Sequence, residues 1–137
     1  MPSKNLKIEI YTPYNSYFVG YVKCIHVQTS DYLLGIYPGH APLIGKVIIS
    51  KLELEIDEET LIYAVGNGLI RVENNLVTLL VDTIENSKEI DENRALEAKN
   101  RALKRLENKD NNNVDVARAK AALNRALNRL NVIGKEE

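Results

Sequence analysis

Polar and apolar side chains alternate from the first residues onward. Leu6, Ile8 and Ile10 are separated by Lys7, Glu9 and Tyr11, the period-two pattern of a strand with one buried face. Turn chemistry at 12–15 precedes strands expected over 17–20 and 21–28. The second of these sets Val22, Cys24 and His26 on one face and Lys23, Ile25 and Val27 on the other. Thr29, Ser30 and Asp31 supply the next turn. Further strands are expected over 32–36, 46–49, 51–56, 60–65, 69–72 and 76–81, with an acidic solvated turn at 57–59 and a strand end at Gly66, Asn67, Gly68. Nine or ten short strands with no helical period among them predict an antiparallel β-sandwich.

Near residue 90 the period changes. Leu96, Leu103 and Leu106 with Ala95 and Ala102 form a helical stripe within residues 92–107, and Asp91 is placed to cap it. The polar run 108–113 breaks this helix with residues that compete for backbone hydrogen bonds. A second stripe runs through Val116, Ala119, Leu123, Ala126, Leu127, Leu130 and Ile133. Two helices of similar length across so short a link predict an antiparallel hairpin. The fold class expected is therefore α+β, a sandwich over 1–86 followed by a two-helix hairpin over 87–137. Alanine-rich faces bury little area, so the hairpin is expected to open readily.

One stretch interrupts the strands, GIYPGHAPLIG at 35–45. Gly35 and Gly39 can supply positive φ, Pro38 and Pro42 remove backbone donors, and His40 offers a polar ring at the apex. The stretch is expected to be a corner between two sheets, with His40 shaping the loop. His26 is read as a half-buried strand residue.

The formal net charge of −1 conceals an asymmetry. Residues 1–90 carry 7 basic and 11 acidic side chains, whereas 91–137 carry 11 and 8. No proline follows Pro42 and no aromatic residue follows Tyr63. Neither a signal-peptide pattern nor an apolar run of about 20 residues is present, so a water-exposed protein is expected. The single Cys24 is read as a small apolar filler.

Six of the seven arginines lie in the tail. Arg94, Arg101 and Arg105 are spaced i, i+7, i+11, and Arg118, Arg125 and Arg129 repeat the spacing. At about 100° per residue each trio forms one ridge. Such a ridge is either a solvated face with i, i+4 partners or an anion site, since guanidinium suits phosphate geometry. GxxxxGK[ST], GxGxxG and HExxH are absent, so an autonomous NTPase or a zinc hydrolase is not supported and no catalytic residue is assigned. A basic arm for nucleic acid is disfavoured by the tail's small net charge and its lack of aromatic residues for stacking.

The order strand, GIYPGHAPLI, strand, the later VGNGLIRVENNLVTLLVDTIE and the Ala/Arg-rich tail together resemble the ε subunit of bacterial F-type ATP synthases, over nearly the whole chain. Residues 34–43 match that family's corner, with Tyr37 replacing a common leucine; Asn67 and Arg71 depart from its later glycine and acidic residue. IDENRA at 90–95 matches the I/L-D-x-x-R-A motif of its ATP-binding members. The resemblance implies a non-catalytic rotor subunit whose sandwich meets the γ subunit and the c-ring. It also implies that the hairpin, when extended, meets a catalytic β subunit and restrains ATP hydrolysis. ATP, with or without magnesium, would be a regulatory ligand: Ile90, Asp91 and Ala95 around the adenine, Arg94 on phosphate, and Glu85, Arg101, Arg125 and Arg129 completing the site. No nucleic acid is expected, and the place implied is the cytoplasmic side of a bacterial plasma membrane, as a peripheral subunit. A stand-alone ATP-binding sensor with the same fold is the alternative.

Overall fold

A computed structural model describes residues 5–108 and 114–134. The chain divides into two compact units, residues 1–86 and 87–137.

The first unit holds ten strands in two five-stranded sheets. They are β1 (Leu6–Tyr11), β2 (Ser16–Val22), β3 (Cys24–Gln28), β4 (Leu33–Ile36), β5 (Leu43–Val47), β6 (Ser50–Ile56), β7 (Glu59–Val65), β8 (Gly68–Glu73), β9 (Leu76–Val81) and β10 (Ile84–Asn86). One sheet has the order β2-β1-β9-β8-β5 and the other β10-β7-β6-β3-β4. The sandwich is thus as expected, with one difference: β1 and β9 run parallel, and every other pair is antiparallel. A parallel neighbour in the middle of a sheet is reached by a long crossover, and here the chain visits the other sheet between the two strands.

The alternation in β1 works as the sequence implies. Leu6, Ile8 and Ile10 are fully buried, and they join Val22, Ile25, Val27, Leu52, Leu54, Val77 and Leu79 in one core between the sheets. The run 17–28 divides elsewhere than expected. It crosses from one sheet to the other at Lys23, whose amide donates to the Glu55 carbonyl at 2.7 Å. Val22 and Ile25 consequently both point inward from opposite sheets, and strict alternation fails at that step. Strand β5 begins at Leu43 rather than 46 because Leu43 and Ile44 already pair with Val72 and Arg71. Strand β10 is too short to carry a periodic signal.

The stretch 35–45 does join the two sheets, since β4 and β5 belong to different ones. Its irregular part is only 37–42. Gly35 lies within β4 and needs no positive φ, whereas Gly39 has φ 86°. The Gly39 amide donates to Asn75 Oδ1 at 2.7 Å, which ties the loop to the β8–β9 turn. That turn places Asn74 and Asn75 at φ 53° and 62°, two consecutive left-handed residues as a type I′ hairpin requires. His40 closes the loop locally: its amide donates to the Tyr37 carbonyl at 3.2 Å, and its Nδ1 lies 2.6 Å from the Ala41 carbonyl oxygen.

In the second unit a 3-10 turn at Ser87–Glu89 leads into α1 (Glu92–Glu107), and α2 (Val116–Val132) follows. Asp91 caps α1, its carboxylate accepting from the Arg94 amide at 3.1 Å, and Asp115 caps α2 in the same way at 3.0 Å. The two helices pack on each other, and a connection this short joins antiparallel neighbours. The expected break at 108 is the α1 C-cap, Asn108; residues 109–113 of the polar run lie outside the described residues. The line of closest packing is alanine. Ala95, Ala102, Ala119 and Ala126 are at most 2% exposed, while Leu96 and Leu103, expected in the stripe, are 37% and 39% exposed. Small residues at heptad spacing let two backbones approach, and the longer leucines then fall beside the seam.

A basic helical hairpin as candidate functional site

Each arginine ridge lies beside the alanine seam. On α1, Arg94 and Arg101 immediately precede Ala95 and Ala102, so the ridge stands about 100° from the buried line, and the exposed Leu96 and Leu103 flank the other side. On α2, Arg118 and Arg125 precede Ala119 and Ala126 in the same relation. Antiparallel helices that meet through equivalent seams carry equivalent flanks on one face. The hairpin therefore has one basic face drawn from both helices.

The sandwich pairs charges along its strands, Lys7–Glu9 at 3.6 Å, Lys51–Glu53 at 3.5 Å and Arg71–Glu73 at 2.8 Å. No carboxylate within salt-bridge distance faces the guanidinium of Arg94, Arg101, Arg105, Arg118 or Arg125 among the described residues. The expectation of i, i+4 carboxylate partners is thus not met at these five arginines. Arg101 with Arg105 and Arg125 with Arg129 are instead like-charged i, i+4 pairs, each disfavouring its helix by about 0.2–0.5 kcal/mol. Guanidinium groups gathered on one face at a cost in helix stability suit a polyanion.

The residues expected around a nucleotide fall in two groups. Arg94 and Arg101 on α1 and Arg125 and Arg129 on α2 share the basic face. Ile90, half-buried, and Asp91, exposed, lie just before α1, and Ala95 is buried in the seam. One oxygen of Asp91 accepts the capping hydrogen bond, and a carboxylate retains further acceptor positions. Glu85 lies on β10 in the other unit, paired in register with Ala64. The second capping residue, Asp115, went unread in the sequence; its position three residues before Arg118 is the signal that locates it.

The sandwich offers a different surface. The outer face of its first sheet exposes Val19, Tyr21, Ile44, Leu69 and Leu80, with Ile44 73% exposed. Beside them Tyr11, Pro13, Leu69 and Leu80 line an open depression of about 400 Å³. The second sheet's outer face holds Cys24, whose thiol donates to Glu55 Oε2 at 3.1 Å, and His26, edge-on to Tyr37 with ring centroids 6.2 Å apart. No group of three or more His, Cys, Asp or Glu among the described residues could hold a metal ion, and no helix among them is long and apolar enough to cross a membrane.

A two-sheet sandwich followed by an arginine-faced helical hairpin defines the class of protein by its fold. Comparison with known proteins gives its family. The sequence profile described as "ATP synthase, Delta/Epsilon chain, beta-sandwich domain" matches residues 5–87, and "ATP synthase, Delta/Epsilon chain, long alpha-helix domain" matches 88–134. The chain is 40% identical over 129 residues to the ATP synthase epsilon chain of Bacillus licheniformis, covering 94% of this chain and 98% of that one. It is 38% identical over 132 residues to that of Bacillus subtilis, covering 96% and 99%. In fold it resembles a chain in the mitochondrial ATP synthase OSCP/F1/c-ring structure of Euglena gracilis, with TM-score 0.80, 17% identity and coverage of 90% of this chain and 78% of the other. The chain belongs to the ATP synthase delta/epsilon family, and its relatives place it with the epsilon chains, non-catalytic stalk subunits of the membrane-bound complex.

Proposed function

We propose that this epsilon-type subunit couples the catalytic head to the membrane ring through its sandwich and restrains ATP hydrolysis through a hairpin that ATP holds folded. The observation that carries the reading is the basic face, built from both helices, on which Arg94, Arg101 and Arg125 have no carboxylate within salt-bridge distance among the described residues. A triphosphate that spans Arg94 and Arg101 on α1 and Arg125 and Arg129 on α2 binds only when the helices are together. Asp91, at the cap, accepts from the adenine amino group, with Ile90 beside the base; Ala95 acts through the seam that brings the ridges together. The family motif also assigns Glu85, on the strand that precedes the hairpin, to the nucleotide.

Binding to the folded form alone stabilises it by about 1.4 kcal/mol at tenfold saturation, which moves a balanced pair of states about tenfold. The extended hairpin, released when ATP falls, presents its arginines to acidic segments of a catalytic β subunit. The exposed apolar face around Ile44, Leu69 and Leu80 suits a protein partner, here γ, with the c-ring below it. The subunit works at the cytoplasmic side of a bacterial plasma membrane, as a peripheral part of the complex.

Calorimetric titration of the whole protein with ATP tests the site. Saturable binding is expected, weakened about tenfold or more in Arg94→Ala and in Arg125→Gln/Arg129→Gln, because each removes charge-assisted hydrogen bonds. Unchanged affinity in both variants would remove the hairpin from nucleotide binding.

A further inference from the structure

The two helices of the hairpin repeat each other. At a constant offset of 24 positions, Asp91, Arg94, Ala95, Arg101, Ala102 and Arg105 recur as Asp115, Arg118, Ala119, Arg125, Ala126 and Arg129. IDENRA at 90–95 thereby returns as VDVARA at 114–119. The repetition is structural as well. Each aspartate caps its helix through the amide of the arginine three residues on, and all four repeated alanines are buried.

Two equivalent helices packed antiparallel across equivalent seams are related by a pseudo-twofold axis perpendicular to the pair. Residues equidistant from the middle of the connection then lie at one height. Arg94 falls level with the interval between Arg125 and Arg129, and Arg118 level with the interval between Arg101 and Arg105. Each trio spans about 6 Å along the helices, and the two trios are centred roughly 13 Å apart. One trio adjoins Asp91 at the start of α1; the other adjoins Asp115 at the start of α2.

We infer that Arg101, Arg105 and Arg118, with Asp115 at their edge, form a second polyphosphate-binding site, the pseudo-symmetric partner of the one at Arg94, Arg125 and Arg129. Its ligand is a chain of phosphates, carried by a nucleoside triphosphate or free as inorganic polyphosphate. Arg101, which the family motif gives to the nucleotide, belongs by height to this second trio, so the two sites meet in the middle of one face. Among the described residues no ion pair or side-chain hydrogen bond engages the guanidinium of Arg101, Arg105 or Arg118. Three exposed cations from two helices on one face, without a counter-charge among the described residues, match the bidentate demands of successive phosphates. The inference stands on the repeat and the shared face, whichever ligand the first trio takes.

The test is calorimetric titration of the whole protein with inorganic tripolyphosphate, and in a second arm with ATP. Wild type is compared with Arg105→Gln/Arg118→Gln and with Arg94→Gln/Arg129→Gln; glutamine at these helical positions keeps helix propensity. Two equivalents of tripolyphosphate are expected. The first double variant should lose one, weakened by about tenfold or more, and keep the other; the second double variant should show the mirror result. Arg105→Lys/Arg118→Lys, which keeps the charge, should retain measurable binding at the second site and excludes loss through misfolding. Two equivalents in the ATP arm identify the ligand as nucleotide, and one identifies it as inorganic phosphate chains. A single equivalent of tripolyphosphate unaffected by Arg105→Gln/Arg118→Gln, a single equivalent weakened equally by both double variants, or no binding at all would each overturn the second site. In the first of these outcomes, sensitivity to Arg94→Gln/Arg129→Gln would leave the nucleotide site standing alone.

Discussion

The two units of this chain solve opposite problems with opposite residues. The sandwich is filled by large aliphatic side chains, with Leu6, Ile8, Ile10, Ile25, Ile36, Leu52, Leu54 and Leu79 wholly buried. The hairpin closes on alanine, and Leu130 is the largest of its fully buried side chains. A buried leucine contributes about 1.5–3 kcal/mol relative to exposure and an alanine methyl about 0.8 kcal/mol. Charge follows the same division: strands pair Lys7 with Glu9, Lys51 with Glu53 and Arg71 with Glu73, while the helices gather six arginines into two ridges. Size gives the sandwich permanence. Smallness gives the hairpin close approach with little apolar area buried.

The largest effect should come from emptying the sandwich core. Leu54→Ala removes a wholly buried side chain between two sheets and should cost about 2–5 kcal/mol, read as a drop in the denaturant midpoint of the sandwich. A loss under 1 kcal/mol would mean that the core tolerates cavities and would blur the contrast with the hairpin. A smaller effect of the opposite kind is expected at the seam. Ala126→Leu adds bulk where the helices meet and should cost about 1–3 kcal/mol. Helical circular dichroism is expected to melt earlier while the sandwich transition stays put. A joint shift of both transitions would show that the units unfold as one.

Much of this was legible in the sequence because both periods are clean. Alternation across Leu6, Ile8 and Ile10 and the change to helical spacing after residue 90 gave the sandwich, the hairpin and the α1 cap at Asp91. What escaped depended on partners remote in sequence. Lys23 ends a strand because the chain changes sheets there, Leu43 and Ile44 are strand because β8 lies beside them, and the parallel β1–β9 pair has no local mark. In the hairpin the periodicity puts leucines and alanines in one stripe and does not say which of them lie at the seam. Alanine forms the seam because the helices approach closely, and the arginine ridges gain a common face only from antiparallel packing. Glu85 illustrates the limit: its motif position ties it to the nucleotide, while its strand belongs to the other unit.

The smallest effect expected at neutral pH concerns the chain's single thiol, and it loosens the sandwich without touching the seam. Cys24 is buried on β3, and burial first, then the adjacent Glu55 carboxylate that accepts its S–H hydrogen bond, push its pKa up from 9.0 to about 11. The folded protein thus holds this proton more tightly than the unfolded chain does. The resulting stabilisation is fully present below about pH 9 and is lost as pH rises through about 11. Alkylation of the native thiol should therefore stay slow through the neutral range and accelerate only toward pH 11. Glu55→Gln should shift that rise to lower pH, because the amide removes the negative charge while burial remains. A native alkylation profile with its midpoint at 9.0 or below would show a thiol open to water and to base, and would place a soft point in the part of the molecule that large side chains otherwise hold closed.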